Sequence, residues 1–426
     1  MRISFDGYFV VITTYLWGEI GYLFSNTLEF TNYLRKGLFM NTEKTIYELC
    51  LQYPELRNFL ISKGFEQFQN KSMFETMSKM VKLKDALQTR KMDATVFLEE
   101  YDNYAKVSVM DETIHTDETD ENRYLVAGSL PCPVRIPLID HLNEYNTRHE
   151  VKGIEYDFRS ANLGLDFVIE KLESDQPEDY PDLITSAGYD LIVRTGIRDT
   201  IMKHYFVPDV PFNKEMEQKI PGLKDPKQVY RIAAVVPAVF IVNKNNLNGR
   251  KIPRSWKELL SGEFKESVAI PISDLDMHNA LVLTLYSKYG EEGLAALKES
   301  IAKGLHPAQM VKGTQNQAPC ISVAPYFFAS MVNSPTQEMI WPEDGAIVSP
   351  IFLSVKKEQL EGVKPTIDYL LEDEVSAILS NNGKFPVTAP NAEGQISEGR
   401  KLLFAGWDLL YQLEEYLPTI KKYFEL

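Results

Sequence analysis

The residues of this sequence that could do chemistry are few and scattered: Cys132, Cys320, His278 beside Asp274 and Asp276, Tyr326, and some arginines. Cys132 stands in Leu130-Pro131-Cys132-Pro133. Proline is favoured at the first helical position, so Pro133 sets Cys132 at or near a helix N-cap. Unpaired amides and the helix dipole at such a place stabilise a thiolate. Two readings of Cys132 stand side by side: a soft metal ligand or reactive thiol, and a small apolar filler between two prolines. Asp274 and Asp276 surround the start of a long amphipathic helix, where acids first of all satisfy orphan amides. His278 next to them is a candidate metal ligand. Arg135, Arg159 and Arg194 could pair with an anionic ligand, although such arginines are more often surface charges.

Signatures of catalysis are missing from the sequence: there is no G-x-S-x-G, no H-E-x-x-H, no P-loop and no Rossmann glycine set. No acid pair has a setting suited to proton transfer, so no catalytic residue is assigned and the chain reads as a protein that is not an enzyme. Cys50, Cys132 and Cys320 lie far apart without a C-x-x-C, which points to neither a zinc ribbon nor a disulfide framework. Their odd number fits a reducing compartment.

The elements that must position these residues follow from periodicity. Tyr124 to Ala127 reads as a strand ended by Gly128-Ser129, and Val134 to Tyr145 as a helix. Ile154 to Phe158 is the next strand, Leu165 to Leu172 a helix, and Leu183 to Ser186 a third strand ended by Ala187-Gly188. Alternating strands and helices argue for a parallel sheet with covering helices. Ligands of such sheets sit outside the carboxyl ends of the strands, which singles out Ser129, Leu130, Cys132, Ser186, Ala187 and Gly188. Farther on, Val235 to Val242 is a strand with a proline inside, and Ser255 caps a short helix from Trp256 to Leu260. Val268 to Ile272 is a buried strand, and Ser273-Asp274 caps the helix that runs to about Tyr289. Ile321 to Ala324 is a strand leading into Tyr326, Trp341 to Gly345 a turn, and Ala346 to Val355 a strand.

At 426 residues the chain exceeds the ~250–300 residues at which single cores stop growing, so it holds more than one domain. Its formal charge of −15 and the lack of a basic stripe argue against nucleic acid and anionic membranes. Residues 40–106 have helical spacing throughout, with Met73, Met77 and Met80 read as a core stripe and Cys50 as buried and inert. Residues 107–122 are acidic and poor in apolar groups, which reads as a linker in which His115 is simply solvated. Residues 123–426 form the larger body. In residues 1–39 the apolar run from Tyr8 to Leu16 is too short to cross a membrane and lacks the flanks of a signal peptide. Arg35-Lys36-Gly37 ahead of Met40 can be encoded by a purine-rich stretch like a ribosome-binding site, so residues 1–39 read as a mis-called leader. The compartment expected is therefore the cytoplasm, or an extracytoplasmic one if residues 1–39 direct export.

Two resemblances add to this reading. The run from Tyr230 to Gly293, with N-K, then G-R-K-I-P-R-S-W-K-E-L-L, then E-F-K, a strand and a helix, closely resembles the solute-binding proteins of ABC importers. The closing K-P-T-I-D-Y-L-L-E-D-E-V and N-N-G-K-F-P-V are similar to the same family, so the likeness spans about Arg123 to Leu417. It implies an α/β, bilobal periplasmic-binding-protein-like fold of type II, preceded by a small all-α domain. It also implies a hinge near Ala234–Asn243 and Ala346–Val355, and a small solute or metal ion held in an interlobe cleft. Asp274, Asn279 and Tyr326 would join the strand-end residues as ligand contacts, with Cys132, His278 and Cys320 as the metal-ligating set and Cys132 and Cys320 facing each other across the cleft. Tyr326 resembles the position where ferric-binding members place a tyrosine pair, but Phe327 stands where the second would be. The partners implied are the small-molecule or ion ligand and an ABC permease, without nucleic acid or membrane insertion. A metal ion is the one cofactor that the residues could hold. The second resemblance covers about sixty residues: T-I-Y-E-L-C-L-Q-Y-P-E-L and L-I-S-K-G-F with L-K-D-A-L resemble a small helical domain found ahead of iron–sulfur-repair proteins. That favours an intracellular sensor or carrier, and it leaves a redox or iron–sulfur-associated interaction protein using Cys132 as the alternative.

Overall fold

The computed structural model describes residues 40–426 except 54–55, 64, 66–67, 69–73, 75, 91, 93, 95–96, 99–100, 102–113, 116–122, 162–163, 272–276, 306–309, 311–318 and 393–395. Of Asn58, Ile61, Ser62, Ile114, His115 and Cys132 it describes the backbone alone. The leader, most of the linker, and the helix start at Ser273, Asp274 and Asp276 therefore lie outside the described residues. The chain divides into two compact units, 1–110 and 111–426.

In the first unit, helices Ile46–Gln52, Leu56–Ser62 and Leu83–Thr89 build a small core. Thr45 caps the first with a capping box, its side chain accepting from the Glu48 amide while Glu48 reaches back to the Thr45 amide. Leu56, Phe59 and Leu60 are buried as their spacing predicts. Of the methionine stripe, Met73 lies outside the described residues, and the other two are not core: Met80 is 80% exposed and Met77 36%. The core is rich in rings, with Phe59 against Phe97 and Tyr101, and Phe68 against Phe65 and Phe74. Cys50 is partly buried, and burial pushes its thiol up to about 12, so it stays protonated.

The larger unit is organised on one mixed sheet. Its strands in chain order are β1 (Ile114–His115), β2 (Tyr124–Leu130), β3 (Ile154–Ser160), β4 (Leu183–Ala187), β5 (Tyr205–Phe206) and β6 (Arg231–Asn243). There follow β7 (Val268–Pro271), β8 (Ile301–Leu305), β9 (Ile321–Pro325), β10 (Gln337–Ile340), β11 (Ala346–Lys356) and β12 (Leu402–Leu403). Their order across the sheet is β1-β3-β2-β4-β11-β6-β9-β7-β8, with β10 on β6 and with β5 and β12 on β11. β2, β3 and β4 are mutually parallel, as the strand–helix alternation predicts, and β7, β8 and β9 form a second parallel group. Between the groups the long strands β6 and β11 run antiparallel, side by side. Nearly every residue of both is buried, which explains their continuous apolar, β-branched reading. Pro237 sits inside β6 without ending it; the irregularity in the β6–β11 pairing lies elsewhere, at Ile351/Phe352.

Three expectations give way here. Gly128-Ser129 does not end the first strand, which continues to Leu130. The glycine is there because a Cβ would stand 2.0 Å from the Thr185 carbonyl oxygen on the neighbouring strand. The linker is not simply a tether, since Ile114–His115 pairs antiparallel with Tyr156 and Glu155 of β3. The helix after β2 begins one residue earlier than Pro133 indicates: it spans Cys132–Arg148, Pro131 is the N-cap, and Cys132 is its first residue.

The long helix Met277–Ser300 bends at Gly290, whose φ of 63° only glycine adopts freely. The short helix Trp256–Leu259 forms as expected, with Ser255 accepting from the Glu258 amide. Among the described residues no helix is long and apolar enough to cross a membrane.

Candidate ligand site

Strand register locates the place where the carboxyl ends meet. β4 ends with Ala187 opposite Ile351, and Ile351 faces Ala234. β9 approaches from the other direction and ends with Pro325 opposite Ala238, which faces Ile347. The two groups of parallel strands thus run head-on toward the middle of the β6–β11 pair. Their ends stop four residues apart along β6, roughly 13 Å at ~3.4 Å per residue. Loops leaving both groups must open onto this crossing, and they carry residues singled out by the strand-end rule.

On the β4 side the structure brings several of those residues together. The Ala187 amide donates to Ser129 Oγ at 3.2 Å, and the Gly188 amide to the Pro350 carbonyl at 2.8 Å. Gly188 turns the chain with a φ of 109°, and Ser186 Oγ lies 3.5 Å from its carbonyl oxygen. Ser129, Leu130, Ser186 and Ala187 are all buried, so these side chains shape the crossing and fix its backbone. Pro131 and the first turn of the Cys132–Arg148 helix follow directly from β2, whereas the Cys132 thiol lies outside the described part.

On the β9 side, Tyr326 opens a short helix, Tyr326–Ala329, at the strand's carboxyl end. Its ring meets Trp341 edge-on, with centroids 5.4 Å apart. The Arg400 guanidinium lies 4.6 Å from the Trp341 ring centroid and 5.5 Å from that of Tyr326. Sequence reasoning missed Arg400 and assigned Trp341 only to a turn. Nothing local marks them, because the contacts join residues 326, 341 and 400. The turn itself is locked through Asp344, which accepts from the Trp256 amide at 3.1 Å and from the Tyr289 hydroxyl at 2.9 Å. Trp256 Nε1 donates to the Gly345 carbonyl. Replacing Asp344 by alanine would strand both donors at a cost of about 2 kcal/mol, readable as a lowered thermal midpoint.

The remaining candidates are placed elsewhere. Cys320 precedes β9 and is buried, which raises its thiol pKa. It stands at the amino end of β9, about 16 Å of strand from Pro325 at ~3.3 Å per residue, while the Cys132 thiol expected to face it lies outside the described residues. His278 Nε2 lies 3.1 Å from the Glu425 carbonyl, and the ring meets Phe424 edge-on, so the chain's last residues occupy this imidazole. Asn279 is buried in the first turn of the same helix. Arg135 is fully buried and donates from Nε and Nη2 to the Phe158 carbonyl, Arg159 pairs with Asp157, and Arg194 pairs with Asp166. Arg135 is thereby used by the fold, whereas Arg159 and Arg194 make ion pairs near the surface. Among the described residues no group of three His, Cys, Asp or Glu side chains could hold a metal ion. The Tyr326 phenol has a fixed positive charge beside it, which disfavours a multivalent cation at that oxygen.

Burial holds the His278 imidazole below its usual range, with the Glu425 carbonyl acting in the opposite sense. A histidine depressed in the folded state binds its proton more readily when unfolded. Stability therefore drops as pH falls through the unfolded value of about 6.5 and levels off below the folded one. The thermal midpoint should decline less between about pH 7 and pH 5 in a His278→Gln variant than in the native chain.

Residues 178–413 match the bacterial extracellular solute-binding protein family. The chain belongs to this family. Its N-terminal part, residues 40–98, matches DUF1858, a domain of unknown function. No curated protein matches the sequence. Among solved structures, the ferric binding protein from Campylobacter jejuni is 14% identical, covers 70% of this chain and 99% of its own, and superposes with a TM-score of 0.53. Apo ferric ion-binding protein A of Pasteurella haemolytica is 16% identical over 71% of this chain and 97% of its own, with a TM-score of 0.52. The periplasmic binding protein AfuA from Actinobacillus pleuropneumoniae, with fructose-6-phosphate bound, is 15% identical over 71% and 98%, with a TM-score of 0.50. At such identities these likenesses show the fold: the bilobal solute-binding architecture that the run from Tyr230 to Gly293 resembles. The family is described as extracellular, which agrees with the export alternative and leaves the cytoplasmic expectation without support.

Proposed function

We propose that this solute-binding family member holds a small solute where the strand ends converge, and that its two halves close on the solute about β6 and β11. The observation that carries this is the register: β4 and β9 run toward each other and stop within four residues on one antiparallel pair. Ligand bound there touches loops from both halves, so it is held better by a closed form than by an open one and shifts the chain toward closure. Gly188, Ser129 and Pro350 contribute the β4 wall, and Tyr326 the β9 wall. The solute is then handed on to an ABC permease from the extracytoplasmic side, in keeping with the family's description. Two of the similar structures are ferric ion-binding proteins and a third has fructose-6-phosphate bound, so fold alone does not choose between a metal ion and an organic solute. The redox alternative rests on Cys132, whose side chain lies outside the described residues, while burial keeps the Cys50 and Cys320 thiols protonated.

Hydrogen exchange measured on the freshly isolated chain, before and after its small molecules are removed by denaturation and refolding, tests the reading. The loaded protein should protect amides around Gly188 and Tyr326 together, and a Tyr326→Ala variant should lose at least ~10-fold in affinity for the released material. Protection confined to one side of the crossing, or none on either, would refute it.

A further inference from the structure

We infer that Arg400, held against Trp341 and Tyr326, is an anion-recognising residue of this crossing and that the solute carries a carboxylate or phosphate group. The inference rests on the binding reading above and narrows it. Arg400 is fixed from several directions. Its carbonyl accepts from Lys219 Nζ at 3.0 Å, the next carbonyl, of Lys401, accepts from Trp341 Nε1 at 3.0 Å, and Leu402–Leu403 then pairs with Ala346 and Ile347 of β11. The guanidinium stacks over the indole, which keeps its planar fork oriented without using its hydrogens. Among the described residues no carboxylate pairs with it, whereas Arg159, Arg194 and Arg198 have Asp157, Asp166 and Glu414. In a chain of formal charge −15, an oriented, partly buried cation without a carboxylate among the described residues is a place kept for a visiting anion.

Tyr326 strengthens the same point. Its hydroxyl oxygen lies 3.5 Å from Arg400 Nη1, so the oxygen faces the cation and the O–H hydrogen is directed away, available to an anion's oxygen. Guanidinium and phenol thus offer donors of one kind, and carboxylate and phosphate are the groups that accept from such a pair in a bidentate manner. The same positive charge acts against a bare ferric ion at that phenol. Trp341 and Phe327, both packed against the larger unit's core and only partly buried, give the organic remainder of the solute an apolar wall.

Titration calorimetry and thermal shift on the full chain after removal of its small molecules test this with paired probes: glucose 6-phosphate against glucose, succinate against 1,4-butanediol, inorganic phosphate alone, and ferric ion alone. The anionic member of at least one pair should bind, and Arg400→Gln should weaken it by at least ~30-fold while moving the unliganded midpoint by less than about 2 °C. Arg400→Lys, which keeps the charge but loses the fork, should fall between, and it stands in if the glutamine variant fails to fold. A phosphate-bearing probe binding without succinate, or the reverse, assigns the head group and supports the inference. Binding by glucose, butanediol or ferric ion alone that ignores Arg400→Gln overturns it and leaves the two-half reading intact. Silence from every probe counts against both.

Discussion

Replacing Asp225 by alanine is expected to cost about 3–5 kcal/mol and to lower the thermal midpoint of the larger unit by roughly 4–8 °C. Asp225 is 2% exposed. Its Oδ2 accepts from the Val229 amide at 2.8 Å, the Tyr230 amide at 2.9 Å and the Tyr411 hydroxyl at 2.6 Å, and its Oδ1 from the Lys227 amide at 2.9 Å. Alanine would leave the buried Val229 and Tyr230 amides and the partly buried Tyr411 hydroxyl without their acceptor, whereas the Lys227 amide can turn to water. Burial and the neighbouring carboxylate raise the Tyr411 phenol, so it stays a donor at every working pH. The carboxylate ties the entry of β6 to the Trp407–Tyr411 helix, hence the effect should reach the crossing strand itself. Asp225→Asn keeps one acceptor and should lose less. A midpoint shift under about 2 °C for the alanine variant would show that the loop before β6 repairs itself.

Gly128→Ala is expected to be comparably damaging, about 3 kcal/mol or more, for a steric reason. The added Cβ would stand 2.0 Å from the Thr185 carbonyl oxygen and 2.4 Å from Thr185 Oγ1. A carbonyl in a paired strand cannot move aside without breaking the β2–β4 ladder, where Gly128 is opposite Thr185. Ser129 follows directly, so its bond from the Ala187 amide would be displaced and ligand binding should fall with stability. Gly164→Ala is the control: its φ is +76° but no atom lies within 4 Å of the added carbon, so backbone strain alone, about 1 kcal/mol, is at stake. Equal midpoints for the two variants would mean that conformation, not contact, is what Gly128 supplies.

Much of the architecture can be read from local pattern. The alternation from Tyr124 to Ala187 yields parallel strands because a βαβ path leaves no other short connection, and β6 and β11 announce their burial by continuous apolar runs. The candidate site is legible only in part. Strand ends such as Ser129 and Gly188 are found by rule. Arg400 is not, because a surface-looking arginine beside glycine carries no mark of the indole it will stack on. Met77 and Met80 of the first unit mislead for a related reason: helical spacing says which face they share, but not that this face will be left to solvent while phenylalanines make the core.

By itself the sequence determined the order and type of the elements, the break between a small helical unit and a larger α/β body, and the absence of recognisable catalytic signatures, because these depend on neighbours along the chain. Tertiary structure decided which ends meet. Only pairing register shows that β4 and β9 arrive head-on at one pair of strands, that Cys320 stands at the far end of β9, that His278 is taken by the chain's last residues, and that Arg400 stands against Trp341. Those facts join residues far apart in sequence, and such contacts are set by packing and ladder register rather than by any local preference.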